Sequence, residues 1–137
     1  MHVGFDETLD AKMRCYELRE IAAEKLRGFL QTRLRFEERD AGKRSYAKSR
    51  SRDLFDLAHL YRQTTYSIEW PSVRRFLTLK AEPYGVSFKG SQDFLDARVL
   101  DDMSRTWNAQ LGFFIRPLPT FDECLASFKE LLDKIFA

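Results

Sequence analysis

Two charged side chains stand where apolar patterns would accept a hydrophobic residue: Lys25 and Asp53. Within "EIAAEKLRGFL" and just before it, Leu18, Ile21, Ala22, Lys25 and Phe29 share one side of a helix at about 100° per residue, with Leu26 beside that stripe. An ammonium group there either snorkels to water on its butyl stem or is aimed into a cleft to meet an anion such as phosphate. In "SRDLFDLAHL", Asp53 lies one and two turns before Leu57 and Leu60, so it borders an apolar face. A carboxylate in a first turn also complements the positive end of the helix dipole. If the two helices pack antiparallel, Lys25 and Asp53 converge. A lysine that binds phosphate and a carboxylate that orients a lysine, a metal or a hydroxyl belong together. Asp56 and Arg52 lie further round and suit salt bridges.

The elements that must position this pair read as helices. The first is expected from about Glu17 to Arg35. A polar, basic stretch follows as loop or frayed extension. Ser51 is placed to cap a second helix striped by Leu54, Leu57, Ala58 and Tyr61. Pro71 opens a third, closed by Pro83 and Gly85. Ser91 starts a fourth, to about Leu111, with Leu95, Val99, Met103 and Trp107 four apart. Two prolines break the chain after it. Thr120 and Glu123 form a capping box for the last helix, whose face is Phe121, Leu125, Phe128, Leu132 and Ile135. "MHVGF" reads as the end of a strand, with Val3 and Phe5 alternating against polar neighbours. The expected product is mainly α: a compact bundle of about five helices in one domain over 1–137, with a short strand-like segment at its start.

Composition narrows the classes. An apolar fraction of 44% with twelve phenylalanines describes a folded core, and 137 residues suffice for one domain. No apolar run has the length of a membrane span, and the acidic start is no signal peptide, so a cytoplasmic protein is expected. Cys15 and Cys124 have no metal spacing and are expected free and buried. With two histidines, no histidine-based metal site is expected. The net charge of +2 is uneven. Between Gln31 and Arg52 eight basic residues face three acidic ones, a local +5, whereas from Ser91 onward the balance is −3. Such a segment suits an anionic partner, or is a solvated connector.

The same residues carry a resemblance. "YELREIAAEKLRGFLQ" followed by "SRDLFDLAHL" resembles the C-terminal half of nucleotidyltransferases of the AbiEii abortive-infection toxin family. Tyr16, Leu18, Glu20, Ile21, Ala23, Glu24, Lys25, Leu26, Arg27, Leu30 and Gln31 fit its first block, and Arg52, Asp53, Leu54, Asp56 and Leu57 its second. "LPTFDECLASFKELLDKI" is similar, more weakly, to the family's last helix. Gly28 stands where the family usually has alanine, a change that weakens a helix by about 1 kcal/mol. The resemblance implies the helical, C-terminal part of a two-part enzyme. It makes Lys25 a contact of the triphosphate, with Arg27 and Arg52 also binding nucleotide, and Asp53 the catalytic or orienting acid of this half. It also implies an N-terminal α/β core, of which residues 1–10 would be a remnant, with a Gly-Ser motif and an Asp-x-Asp pair holding NTP and Mg²⁺. The single Gly-Ser, Gly90–Ser91, sits near mid-chain and is followed by no such pair. The chain is therefore expected to be a shortened product or fragment, inactive alone.

Three functions remain open at this stage. One is the helical portion of a toxin that transfers nucleotides from NTP to RNA, tRNA above all. Another is a nucleic-acid-binding module gripping phosphates through Arg33, Arg35, Arg39, Lys43, Arg44 and Lys48, with Phe36 and Tyr46 available for stacking. The third is a helical domain that pairs with a protein: an antitoxin or a separate catalytic half.

Overall fold

Five helices come from five amphipathic segments, and the computed structural model describes residues 3–137, with side chains from residue 11 onward. They are α1 (Val3–Asp40), α2 (Ser51–Arg62), α3 (Trp70–Ala81), α4 (Ala97–Leu111) and α5 (Phe121–Ile135). Short 3-10 turns, Glu82–Tyr84 and Ser91–Phe94, join α3 to α4. Among the described residues there is no strand. Of the strand expected over 1–5, Met1 and His2 lie outside the described residues, and Val3–Phe5 already belong to α1.

α1 is far longer than expected. At 38 residues it spans roughly 57 Å, against roughly 18–22 Å for the others. Gly42, at φ 82°, stops it. The Lys43 N–H reaches the Glu38 carbonyl at 2.9 Å and the Gly42 N–H reaches Arg39 at 2.9 Å, a Schellman ending that needs the left-handed conformation glycine adopts freely.

α2 begins at Ser51, but its N-cap is Arg50, and no side chain caps it, contrary to the expectation for Ser51. α3 opens with Pro71 as expected. The helix expected from Ser91 breaks in two. Asp93 turns back to accept from the Lys89 and Gly90 N–H groups, at 2.5 and 3.1 Å. The chain then restarts after Asp96, whose carboxylate accepts from Arg98 and Val99 N–H. At α5, Thr120 accepts from the Glu123 N–H at 3.1 Å, one half of the expected box.

α5 packs between α2 and α3, and α1 lies mainly along α3. Phe29 of α1 stacks on Phe128 of α5 at 4.9 Å, and both are fully buried. Leu26, Leu54, Leu57, Leu77, Met103, Leu131 and Leu132 have no exposed surface. Truncating one such leucine to alanine removes about 2–5 kcal/mol of stability. The fourth and fifth helices bury most of the residues assigned to them, with Leu95, Phe121 and Leu125 at the margin. The Trp107 indole donates to the Pro119 carbonyl at 2.9 Å and ties the α4–α5 link to α4.

The apolar face of α1 is rotated from its expected position. Ala22, Ala23, Leu26, Phe29 and Leu30 are buried, whereas Ile21 is 42% exposed. Leu26 is therefore central and Lys25 sits at the border facing α2. α1 must satisfy α3 as well as α2, and contact with α3 draws the buried face toward Leu26 and Leu30.

Candidate functional site

Successive contacts fix how α1 and α2 run. Thr32 donates to the Lys48 carbonyl, Arg50 lies over Gly28, and Lys25 reaches Asp53 and Asp56. Residue numbers fall on one helix as they rise on the other, so the pair is antiparallel. Lys25 Nζ stands 3.4 Å from Asp53 Oδ1 and 2.9 Å from Asp56 Oδ2. All three side chains are about a quarter exposed or less. Lys25 and Asp53 thus meet, as an antiparallel pairing of the two helices allows. Asp56, assigned further round, is the closer partner. It also binds Arg52, Nε to Oδ1 3.2 Å, as expected of that pair.

Arg50 extends this network and was not singled out from the sequence. Its side chain is only 10% exposed. Nε donates to Thr32 Oγ1 at 2.8 Å and Nη1 to Asp53 Oδ2 at 3.1 Å. It passes directly over Gly28. A Cβ at that glycine would lie 2.7 Å from Nη1 and 2.9 Å from Cζ, inside the ordinary contact distance of about 3.5 Å. The glycine is the notch that lets a guanidinium cross α1.

On the other side of Arg50 opens a cavity of about 600 Å³, lined by five cations: Arg27, Arg35, Arg44, Lys48 and Arg50. No carboxylate lines it. Two tyrosines, Tyr46 and Tyr84, complete its rim. The connector 43–50 forms one wall and is tied down: Arg39 Nε donates to the Ser45 carbonyl at 2.8 Å, and Ser45 Oγ to Glu38 Oε1 at 2.7 Å. The Glu38 carboxyl is held below its usual range by hydrogen bonds from Arg35 and Ser45. Arg27 bonds Glu24 and Gln31, and its guanidinium lies 4.0 Å from the Tyr84 ring centroid.

The cavity gathers only part of the basic set. Arg27, Arg35, Arg44 and Lys48 line it; Lys25, Arg33, Arg39, Lys43 and Arg52 do not. Arg33 faces the other side of α1, bound to Glu37 at 3.1 Å and Asp93 at 2.7 Å. The 100° step predicts this separation, since Arg33 is 240° round the helix from Arg27. The hydrogen bond to Asp93 raises the Arg33 pKa further. Arg39 is occupied with its loop carbonyl, and Lys43 is exposed. Arg44 and Lys48 have no acidic partner among the described residues.

Among the described residues no three His, Cys, Asp or Glu side chains are grouped to hold a metal ion. Asp53 and Asp56 both face cations already, so the residues present do not make a fit for Mg²⁺. Cys15 is half-buried and Cys124 buried, and neither is bridged. No helix of the described residues is long and apolar enough to cross a membrane.

No match was found among curated proteins or among solved structures. One family model does match, over residues 1–133: nucleotidyl transferase AbiEii toxin, type IV toxin–antitoxin system. The match runs through both blocks that meet at Lys25 and Asp53 and into the final helix, and on that extent the chain belongs to the AbiEii nucleotidyl transferase toxin family.

Proposed function

We propose that this chain is the helical portion of a nucleotidyltransferase that moves nucleotides from an NTP to an RNA acceptor such as tRNA, as the toxin of an abortive-infection, toxin–antitoxin system. The observation that carries the reading is the 3.4 Å approach of Lys25 to Asp53 on facing helices. The acceptor hydroxyl attacks the α-phosphorus, and pyrophosphate leaves. Lys25 offsets the negative charge that develops on the phosphoryl oxygens. Asp53 holds the ammonium in place, and Asp56 is the partner it exchanges for phosphate. Arg52, exposed beside Asp56, is available to the outer phosphates.

The chain lacks the Gly-Ser and Asp-x-Asp arrangement of the family's nucleotide-binding core, so on this reading it does not catalyse by itself. The purified chain, incubated with tRNA, each labelled NTP and Mg²⁺ or Mn²⁺, transfers no label. Joined to a core that supplies the carboxylate pair, it does so, and Lys25→Ala or Asp53→Asn abolishes transfer. Metal-dependent labelling by the chain alone, lost in Asp53→Asn, would overturn the division of labour.

A second reading has one specific observation in its favour. The acid-free cationic cavity suits an RNA-binding module whether or not transfer occurs.

A further inference from the structure

We propose that the cavity beside Arg50 seats one nucleotide unit, its phosphate on Arg44, Lys48 and Arg50 and its base against Tyr46 and Tyr84. The inference rests on the nucleotidyltransferase reading and adds a base-holding site to it.

Charge alone implies an anion. Arg27 and Arg35 have carboxylate partners on α1, but Arg44 and Lys48 have none among the described residues, and they share the lining with Arg50. Two of the five lining cations thus stand without an acid, and like charges brought together repel one another until an anion arrives.

Arg50 makes this a built site. Its side chain is nine-tenths buried and is fixed at Nε by Thr32 and at Nη1 by Asp53. Nη2 has no partner among the described residues, yet it is not among the buried polar atoms left unsatisfied. It therefore keeps some solvent access, on a side chain that lines the cavity. A guanidinium held at two edges and open at the third presents a preformed donor to a phosphate oxygen.

The tyrosines say which phosphate compound fits. Tyr46 is 77% exposed, and its ring packs on no other aromatic ring or cation among the described residues. Tyr84 is half-exposed, and Arg27 stacks on it. Inorganic phosphate has no use for aromatic surface, whereas a base stacks on it. A volume of about 600 Å³ lies in the range of small-molecule sites, roughly 300–1,000 Å³. The nucleotide unit is carried by a free NTP or by the end of single-stranded RNA, and the two share this chemistry.

Fluorescence anisotropy on the whole chain tests the proposal, with a labelled pentaribonucleotide, its abasic counterpart and a labelled NTP as separate probes. The pentamer or the NTP binds, and the tighter of the two names the source. Tyr46→Ala weakens that probe roughly tenfold, while Tyr46→Phe does not. Neither tyrosine change alters abasic binding. Arg44→Gln with Lys48→Gln, both exposed positions, lowers affinity and reduces the salt slope by about 1.4 for a single strand. Circular dichroism of these surface variants confirms the fold. Abasic and normal pentamers bound equally would overturn the base-holding site and leave the transferase reading intact. Binding indifferent to Arg44 and Lys48 would overturn the phosphate seat, and no binding of any probe at low salt would overturn both.

Discussion

Replacing Gly28 with alanine sets two known effects against each other. In a helix interior alanine is favoured over glycine by about 1 kcal/mol. The added methyl, however, would stand 2.7 Å from Arg50 Nη1 and 2.9 Å from Cζ. Relief requires the guanidinium to retreat by roughly 0.6–0.8 Å to ordinary contact. A free arginine would move at little cost. Arg50 is not free, because it is pinned to Thr32 at 2.8 Å and to Asp53 at 3.1 Å in a site nine-tenths buried. A shift of that size breaks at least one bond to a charged group, worth about 1.5–3 kcal/mol. The net expectation is a loss of about 1 kcal/mol, or roughly 3–5 °C in Tm. Urea unfolding of Gly28→Ala, Arg50→Ala and the double variant separates the terms. With Arg50 shortened, the same alanine should stabilise by the full 1 kcal/mol or so, giving a coupling of about 2 kcal/mol. A stabilising Gly28→Ala in the parent background, or a coupling below about 0.5 kcal/mol, would show that no guanidinium crosses α1 there.

Three further outcomes follow from the charge arrangement. Lys25→Met should cost about 1–2 kcal/mol in urea unfolding, since Asp53 and Asp56 lose their shared cation but keep Arg50 and Arg52; Arg52→Met, at an exposed position, should cost under about 0.5 kcal/mol, and equal losses would contradict the assignment. For Asp93, burial pushes the carboxyl up, but the Lys89 and Gly90 N–H groups and Arg33 outweigh it and leave the pKa lowered. Its stabilisation is therefore present above the ordinary carboxylate value near 4 and is lost as pH falls toward the depressed folded value, so the deficit of Asp93→Asn should close in acid; a deficit constant from pH 7 to 3 would refute this. Burial, with Glu123 adding to it, pushes the Cys124 thiol up to about 11, so iodoacetamide at pH 8 should label Cys15 and spare Cys124 until denaturant is added, read by peptide mass spectrometry.

The helices and the Lys25–Asp53 encounter were legible because each rests on local periodicity. One polar residue in each of two apolar stripes is a strong hint when the stripes belong to neighbouring helices. The precise face of α1 was not legible. A single stripe was read for a helix that packs on both α2 and α3, and the average of two interfaces displaced Lys25 to the border. The early end assigned to α1 has a different cause. Residues 36–40, polar apart from Phe36, read as loop, but the helix runs through them and ends only at the Schellman bonds of Gly42. The cavity depends on the path of the connector 43–50 and on Tyr84, far along the chain, so no local pattern announces it. Arg50 stayed hidden among eight basic residues. Only its crossing over Gly28 sets it apart, and the glycine itself was the one visible trace.

Asp53 has two owners. One oxygen faces Lys25 and the other faces Arg50, which lines the cavity. The two cations therefore form a thermodynamic cycle through one carboxylate. An anion that draws Arg50 toward the cavity weakens its claim on Asp53 and strengthens that of Lys25; an anion that takes Lys25 does the reverse. Linkage requires the two effects to be equal in free energy, so each ligand must alter the affinity of the other by the same factor.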